Sequence, residues 1–159
     1  MENGYNAVWS RGVEMPHFER LKSDISTDVL IIGGGIAGIL CAYMLKNAGV
    51  DCIVVEAERI CGGVTQNTTA KITPLHGAIY DKMLRRFGSE ITEQYYNANL
   101  QAYFRYKAMC AQIDCDFEQR DSYIYSLDDK RKIEYEVAAL KSIGAKAEYA
   151  KALPLPFDT

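Results

Sequence analysis

Gly33, Gly35 and Gly38 stand in the spacing G-x-G-x-x-G, and Glu56 follows at the end of a second apolar run. Together these four residues could hold a dinucleotide. Gly33 allows a tight turn out of a strand, Gly35 removes the side chain that would keep a pyrophosphate off the backbone, and Gly38 lets a helix pack closely on the sheet. The N–H groups of Ile36 and Ala37 would then open a helix beneath the ligand. There the positive end of the helix dipole, roughly half an elementary charge, favours phosphate without a lysine. Glu56 can accept hydrogen bonds from both hydroxyls of an adenosine ribose, the usual role of an acid about 20 residues past the turn.

Elements of the right kind flank these residues. Residues 29–32, Val-Leu-Ile-Ile, form a β-branched and aliphatic run suited to a buried parallel strand. The pattern predicts a helix over 36–48, closed by Gly49, and a second strand over 51–55. A glycine-rich turn alone is also found in loops that bind nothing; the ordered succession of strand, glycines, helix, strand and acid favours a nucleotide site. The uncharged stretch 29–45 is too short for a membrane span, which needs about 20 apolar residues, and glycines 33, 34 and 35 would each weaken a helix by about 1 kcal/mol.

With 48% hydrophobic and 25% charged residues in a chain of 159, a net charge of −3 and no lysine–arginine cluster, nucleic acid is not an expected partner. Residues 1–27 carry Glu2, Glu14, Glu19 and Asp24 and no apolar core. Neither a secretory signal nor an acid-poor transit peptide is expected, and a cytoplasmic location follows. The 5 cysteines, at positions 41, 52, 61, 110 and 115, make no disulfide framework and read as free thiols. Cys41 and Cys52 are expected to pack as small hydrophobes within the helix and strand. Cys110 and Cys115 have a C-x4-C spacing at the edge of the metal-binding range, but a tetrahedral site needs four ligands and no second pair follows. They read as structural, and no metal is expected.

A second signal lies beyond Glu56, in the small and hydroxylated run from 58 to 73. Gly62 and Gly63 permit close backbone approach, and Thr65, Thr68 and Thr69 can donate hydroxyl hydrogen bonds to phosphate or ring oxygens. The alternative is an ordinary polar loop. Behind the strand, turn and helix, this stretch resembles the flavin-approach loop of the glycine oxidase and D-amino-acid oxidase (DAO) family of FAD-dependent oxidoreductases. Val8-Trp9, the glycine run Gly33 to Gly38, Glu56, Thr68-Thr69-Ala70-Lys71 and His76-Gly77 are similar to a bacterial branch of that family. The resemblance implies FAD as cofactor. It puts the pyrophosphate on Gly33, Gly35, Ile36, Ala37 and Gly38, and the adenosine ribose on Glu56 with Ala57 and Arg59 beside it. It runs Gly63, Thr65, Thr68, Thr69 and Lys71 past the flavin. For Lys71 and His76 a surface lysine and a histidine capping the next helix are equally good accounts.

Further along, the pattern predicts a short helix over 79–87 ended by Gly88, then a long helix from Ser89, with Thr92 and Glu93 following, to about residue 113. Tyr95 and Tyr106 share one face of that helix, and Tyr96 and Tyr103 the neighbouring one. This spacing suits core packing, with an aromatic substrate pocket as the alternative. Short β-like runs at 116–120 and 122–126, a turn at Asp128-Asp129 and an amphipathic helix over 131–143 stopped by Gly144 complete the pattern.

The fold class expected is α/β, a Rossmann-like FAD/NAD(P)-binding βαβ domain joined to the start of an α+β substrate domain. The divisions are an N-terminal extension over 1–27, the N-terminal part of the FAD domain over 28–115, and the start of the substrate domain over 116–159. By resemblance the chain matches only the front part of the family, and on its own is expected to be incomplete and inactive. Some relatives of this branch carry a C-terminal Rieske domain, whose paired cysteines and histidines this chain lacks. The expected activity is oxidation of a small-molecule amine or amino acid by hydride transfer to FAD, with no catalytic residue assigned. An NAD-dependent dehydrogenase and a non-catalytic nucleotide-binding fragment are the alternatives.

Overall fold

The computed structural model describes residues 14–69 and 71–150. Val8, Trp9, Ala70 and the segment 151–159 lie outside the described residues. The chain forms two compact units, Met1–Lys71 and Ile72–Thr159.

In the first unit, β1 (Val29–Ile32), α1 (Ile36–Asn47) and β2 (Cys52–Val55) make one parallel βαβ crossover, with Val29 opposite Cys52 and Ile32 opposite Val55. Gly33 extends the ladder by donating its N–H to the carbonyl of Val55 at 2.8 Å. Gly49 has φ +75 and ends the chain's helical course, as its lack of a Cβ allows. A short 3-10 helix, Val64–Asn67, follows the second strand.

Two expectations for this unit are corrected. The first strand is not buried on both faces: Val29 and Ile31 are half-buried, whereas Leu30 is 56% and Ile32 82% exposed. Side chains of a strand alternate between faces, and α1 covers only one face of this two-stranded sheet. Cys41 likewise lies on the exposed side of α1 instead of packing as a small hydrophobe. Cys52 is half-buried, its thiol 3.8 Å from the carbonyl of Ala42.

In the second unit, α2 (Tyr80–Cys110) packs on α3 (Lys130–Ser142). The break expected at Gly88 is present as a kink, with φ 79 and ψ 175, a conformation restricted to glycine. The buried Thr92 hydroxyl donates to the Gly88 carbonyl at 2.7 Å, so Thr92 and not Ser89 secures the joint. Asp129 caps α3 by accepting the N–H of Lys132, and Gly144, at φ 77, follows its end.

Tyr80, Tyr96, Ala139, Leu140, Ile143 and Ala145 form the core of this unit. Of the four tyrosines singled out on the long helix, Tyr96 packs inward, edge-on to Tyr80 at 5.9 Å, while Tyr95 is exposed and Tyr103 and Tyr106 are half-buried. The runs 116–120 and 122–126 are not strands. The ladder among the described residues is β1 with β2, and a β-like sequence without a partner has no hydrogen bonds to make it a strand. The second run lines an open groove of about 580 Å³ together with α3 and residues 146–150.

Candidate dinucleotide site

The turn between β1 and α1 brings the expected glycines together, and each meets a different constraint. Gly33 adopts φ +106, outside the range a side chain tolerates easily. A Cβ on Gly38 would lie 1.9 Å from the carbonyl oxygen of Gly33, so only glycine lets the first turn of α1 pass this close to the strand. Gly35 is different: a Cβ there would meet nothing nearer than the Thr65 hydroxyl at 3.5 Å. No structural demand of the turn requires glycine at 35. Its bareness keeps the surface over the helix N-terminus free for a ligand.

Gly34, which the spacing leaves as a variable position, is the buried hinge of the site. Its N–H donates to Glu56 Oε2 at 2.7 Å, and its carbonyl accepts the N–H of Cys61 at 2.8 Å. One residue thereby ties the glycine turn to the end of β2 and to the loop beyond it. A Cβ on Gly34 would press on Ile60 at 3.0 Å and on Glu56 at 3.2 Å. The remaining oxygen of Glu56 accepts the N–H of Glu58 at 3.0 Å. The N–H groups of Glu58 and Gly34 stabilise the ionised form and hold this carboxyl below its ordinary value of 4.5, against the opposing effect of desolvation. Each carboxylate oxygen has a second lone pair, so the fixed group can still accept a ribose hydroxyl.

The loop after Glu56 folds back over the turn. Thr65 Oγ1 accepts the N–H of Ile36 at 3.0 Å, putting a hydroxyl at the N-terminus of α1. Arg59 reaches Gln66 Oε1 at 3.2 Å, and Asn67 donates to the Gly63 carbonyl at 3.1 Å. Cys61 adopts φ 55, and the close approach expected of Gly62 is internal to the loop, 2.9 Å from a built Cβ to the Arg59 carbonyl. Ala57, Gly63, Thr68, Thr69 and Lys71 are exposed.

His76 belongs to the second unit, and its Nε2 lies 3.2 Å from Asn99 Oδ1. It does not cap the following helix. The N-terminus of α2 is held by Glu136 of α3, whose buried carboxylate accepts the N–H groups of Ile79, Tyr80 and Asp81 at 3.0, 2.8 and 2.9 Å. Sequence reasoning missed Glu136 and the double role of Gly34. The available signal for Glu136 was an acid within the apolar stripe Ile133, Val137 and Leu140. Among the described residues no group of three or more His, Cys, Asp and Glu side chains could hold a metal ion.

A parallel strand–glycine turn–helix–strand unit, with an acid fastened to the turn, defines a dinucleotide-binding protein of the Rossmann-like class. The sequence family described as FAD dependent oxidoreductase (DAO) matches residues 28–154, and this chain belongs to it. FAD is the cofactor of the family, and the residues of the turn fit it. The chain is 38% identical over 155 residues to the putative Rieske 2Fe-2S iron-sulfur protein YhfW of Bacillus subtilis (strain 168), a match covering 95% of this chain and 30% of that protein. It is 26% identical over 116 residues to gamma-glutamylputrescine oxidoreductase of Escherichia coli (strain K12), covering 72% of this chain and 27% of that protein. Flavin-containing amine oxidase B of Cavia porcellus is 32% identical over 78 residues, 45% of this chain and 15% of its own. The chain thus spans less than a third of the length of these relatives. No solved structure matches it significantly.

Proposed function

We propose that this chain is the nucleotide-binding portion of a flavin-dependent oxidoreductase that oxidises a C–N bond in a small amine or amino acid. The observation that carries this reading is the Glu56–Gly34 hydrogen bond, which fixes a carboxylate at the mouth of a glycine turn in a chain of the FAD-dependent family. Bound FAD supplies a ring that accepts two electrons as hydride. The protein's own residues do the holding. Gly33, Gly35 and Gly38, with the N–H group of Ala37 and, through the Thr65 hydroxyl, that of Ile36, receive the pyrophosphate, and Glu56, flanked by Ala57 and Arg59, receives the adenosine ribose. The loop of Gly63, Thr65, Thr68, Thr69 and Lys71 runs toward the flavin. The names of the E. coli and C. porcellus relatives support an amine as the substrate class.

On this reading residues 28–115 belong to the FAD domain and 116–159 open an α+β substrate domain. A cytoplasmic location is part of the same proposal, and no helix among the described residues is long and apolar enough to cross a membrane. The test is anaerobic mixing of the FAD-loaded whole oxidoreductase containing this portion with a panel of amines and amino acids. Loss of the visible flavin absorbance with a member of the panel supports the reading. Reduction by nicotinamide dinucleotides alone, with every amine inert, overturns it.

A further inference from the structure

Cys110 ends α2, and the chain beyond it winds back on itself: Gln112 donates to the Met109 carbonyl at 3.0 Å and Ile113 to the Cys110 carbonyl at 3.3 Å. That turn returns Cys115 to the helix end. Its thiol lies 3.9 Å from the Cys110 carbonyl oxygen. Burial, then the neighbouring Cys115 thiol, raise the Cys110 thiol above its ordinary range. Asp116, at φ 51, then turns the chain away. Cys110 is half-buried and Cys115 exposed, so one sulfur is open to reagents and the other is held behind it. The remaining cysteines, 41, 52 and 61, belong to the other compact unit.

We propose that Cys110 and Cys115 are a reversible dithiol–disulfide modification site, oxidised by reagents of the hydroperoxide class. The exposed Cys115 thiolate attacks a peroxide oxygen. The O–O bond breaks, Cys115 becomes a sulfenic acid, and the departing hydroxide takes a proton to leave as water. The Cys110 sulfur then attacks the Cys115 sulfur, the S–S bond forms, the S–OH bond breaks, and a second water leaves. Two thiols lose two electrons and two protons, and one peroxide becomes two waters. The need for a nearby second sulfur is met by the turn 111–114, which returns the Cys115 sulfur to the backbone carbonyl of Cys110, and side-chain rotation completes the approach.

The test treats the full chain with hydrogen peroxide, caps free thiols with N-ethylmaleimide, and maps the tryptic peptide 108–120. The expected product is that peptide two hydrogen masses lighter and uncapped, restored by dithiothreitol. It should form more than roughly tenfold faster in the folded chain than in urea, because the turn presents one sulfur to the other. In Cys110→Ser the Cys115 sulfenic acid persists and is captured by dimedone. Phenylarsine oxide, which needs two adjacent thiols, labels the reduced protein at this peptide and fails to do so in Cys110→Ser or Cys115→Ser. Oxidation of Cys115 to sulfinic acid with Cys110 still open to capping would overturn the proposal. So would equal bridging rates in folded and unfolded chains, or bridges that form instead to Cys41, Cys52 or Cys61.

Discussion

Glu136 and Tyr80 are 56 positions apart and joined by a 2.8 Å hydrogen bond from the Tyr80 N–H to the Glu136 carboxylate. The same carboxylate takes the N–H groups on either side, so the first turn of α2 is capped by a side chain of α3. A helix begins with N–H groups that its own backbone cannot satisfy, and here, buried at Tyr80 and half-buried at Ile79 and Asp81, they meet a carboxylate of the favourable sign. Glu136→Ala should therefore destabilise the second unit by about 2–4 kcal/mol, as buried donors lose their acceptor. Glu136→Gln should cost less, because its amide oxygen can still serve Ile79 and Tyr80. Urea unfolding followed by circular dichroism measures both, and equal midpoints for Glu136→Ala and the parent chain would refute the cap.

Tyr80 gives the second unit a dependence on alkaline pH. Burial, then the neighbouring Tyr95, Tyr96 and Glu136, push its hydroxyl from 10.0 up to about 12. The folded value lies above the unfolded one, so the stabilisation is fully present below pH 10 and is lost as pH rises toward 12. The urea midpoint should fall across that window. Tyr80→Phe should remove much of the fall while lowering the midpoint at neutral pH, since the hydroxyl donates to the Pro74 carbonyl. A midpoint equally sensitive to alkali in both proteins would assign the effect to other groups.

Gly35 and Gly38 should separate under substitution. Gly38→Ala places a carbon 1.9 Å from a backbone oxygen. The βαβ unit must open, at a cost of about 3 kcal/mol or more, and lose FAD with it. Gly35→Val should leave thermal unfolding nearly unchanged yet abolish FAD binding, since its side chain has room in the turn but occupies the place of the pyrophosphate. Flavin fluorescence titration alongside thermal melts distinguishes the two. A Gly35→Val protein that retains flavin through purification shows that the phosphates lie elsewhere.

Glu56→Gln should weaken FAD binding roughly 10- to 100-fold, because an amide replaces a charged acceptor. In the parent protein the Glu56 contribution is present above the ordinary carboxylate value of 4.5 and is lost as pH falls through its lower folded value. Affinity for FAD should accordingly decline in acid for the parent and much less for Glu56→Gln. Parallel acid profiles for the two proteins would remove Glu56 from the site.

The first unit was legible because its determinants are local. Glycine spacing, one strand's composition and an acid at a fixed distance are all contained within 29 to 56, and the structure assembles them as the pattern implies. What escaped was non-local. Position 136 reads from its helical period as part of an apolar stripe, and only the arrival of α2 turns its carboxylate into a cap. The runs 116–120 and 122–126 have strand composition, but pairing is a property of two segments, and composition describes one. Gly34 escaped for a different reason: the motif treats it as variable, and its importance comes from the Cys61 and Glu56 groups that converge on it.

The bond from the Ile36 N–H to the Thr65 hydroxyl makes this threonine an extension of the helix. Its oxygen accepts at the positive pole of α1, which polarises the O–H and makes its proton a better donor to whatever anion approaches. The helix field is thereby carried one side chain outward, from the rigid turn into a loop that could otherwise have moved independently. On the proposed reading, a phosphate at the turn would meet loop and turn together through a single relay, and a valine at 65, nearly the same in shape, would leave the two electrically disconnected.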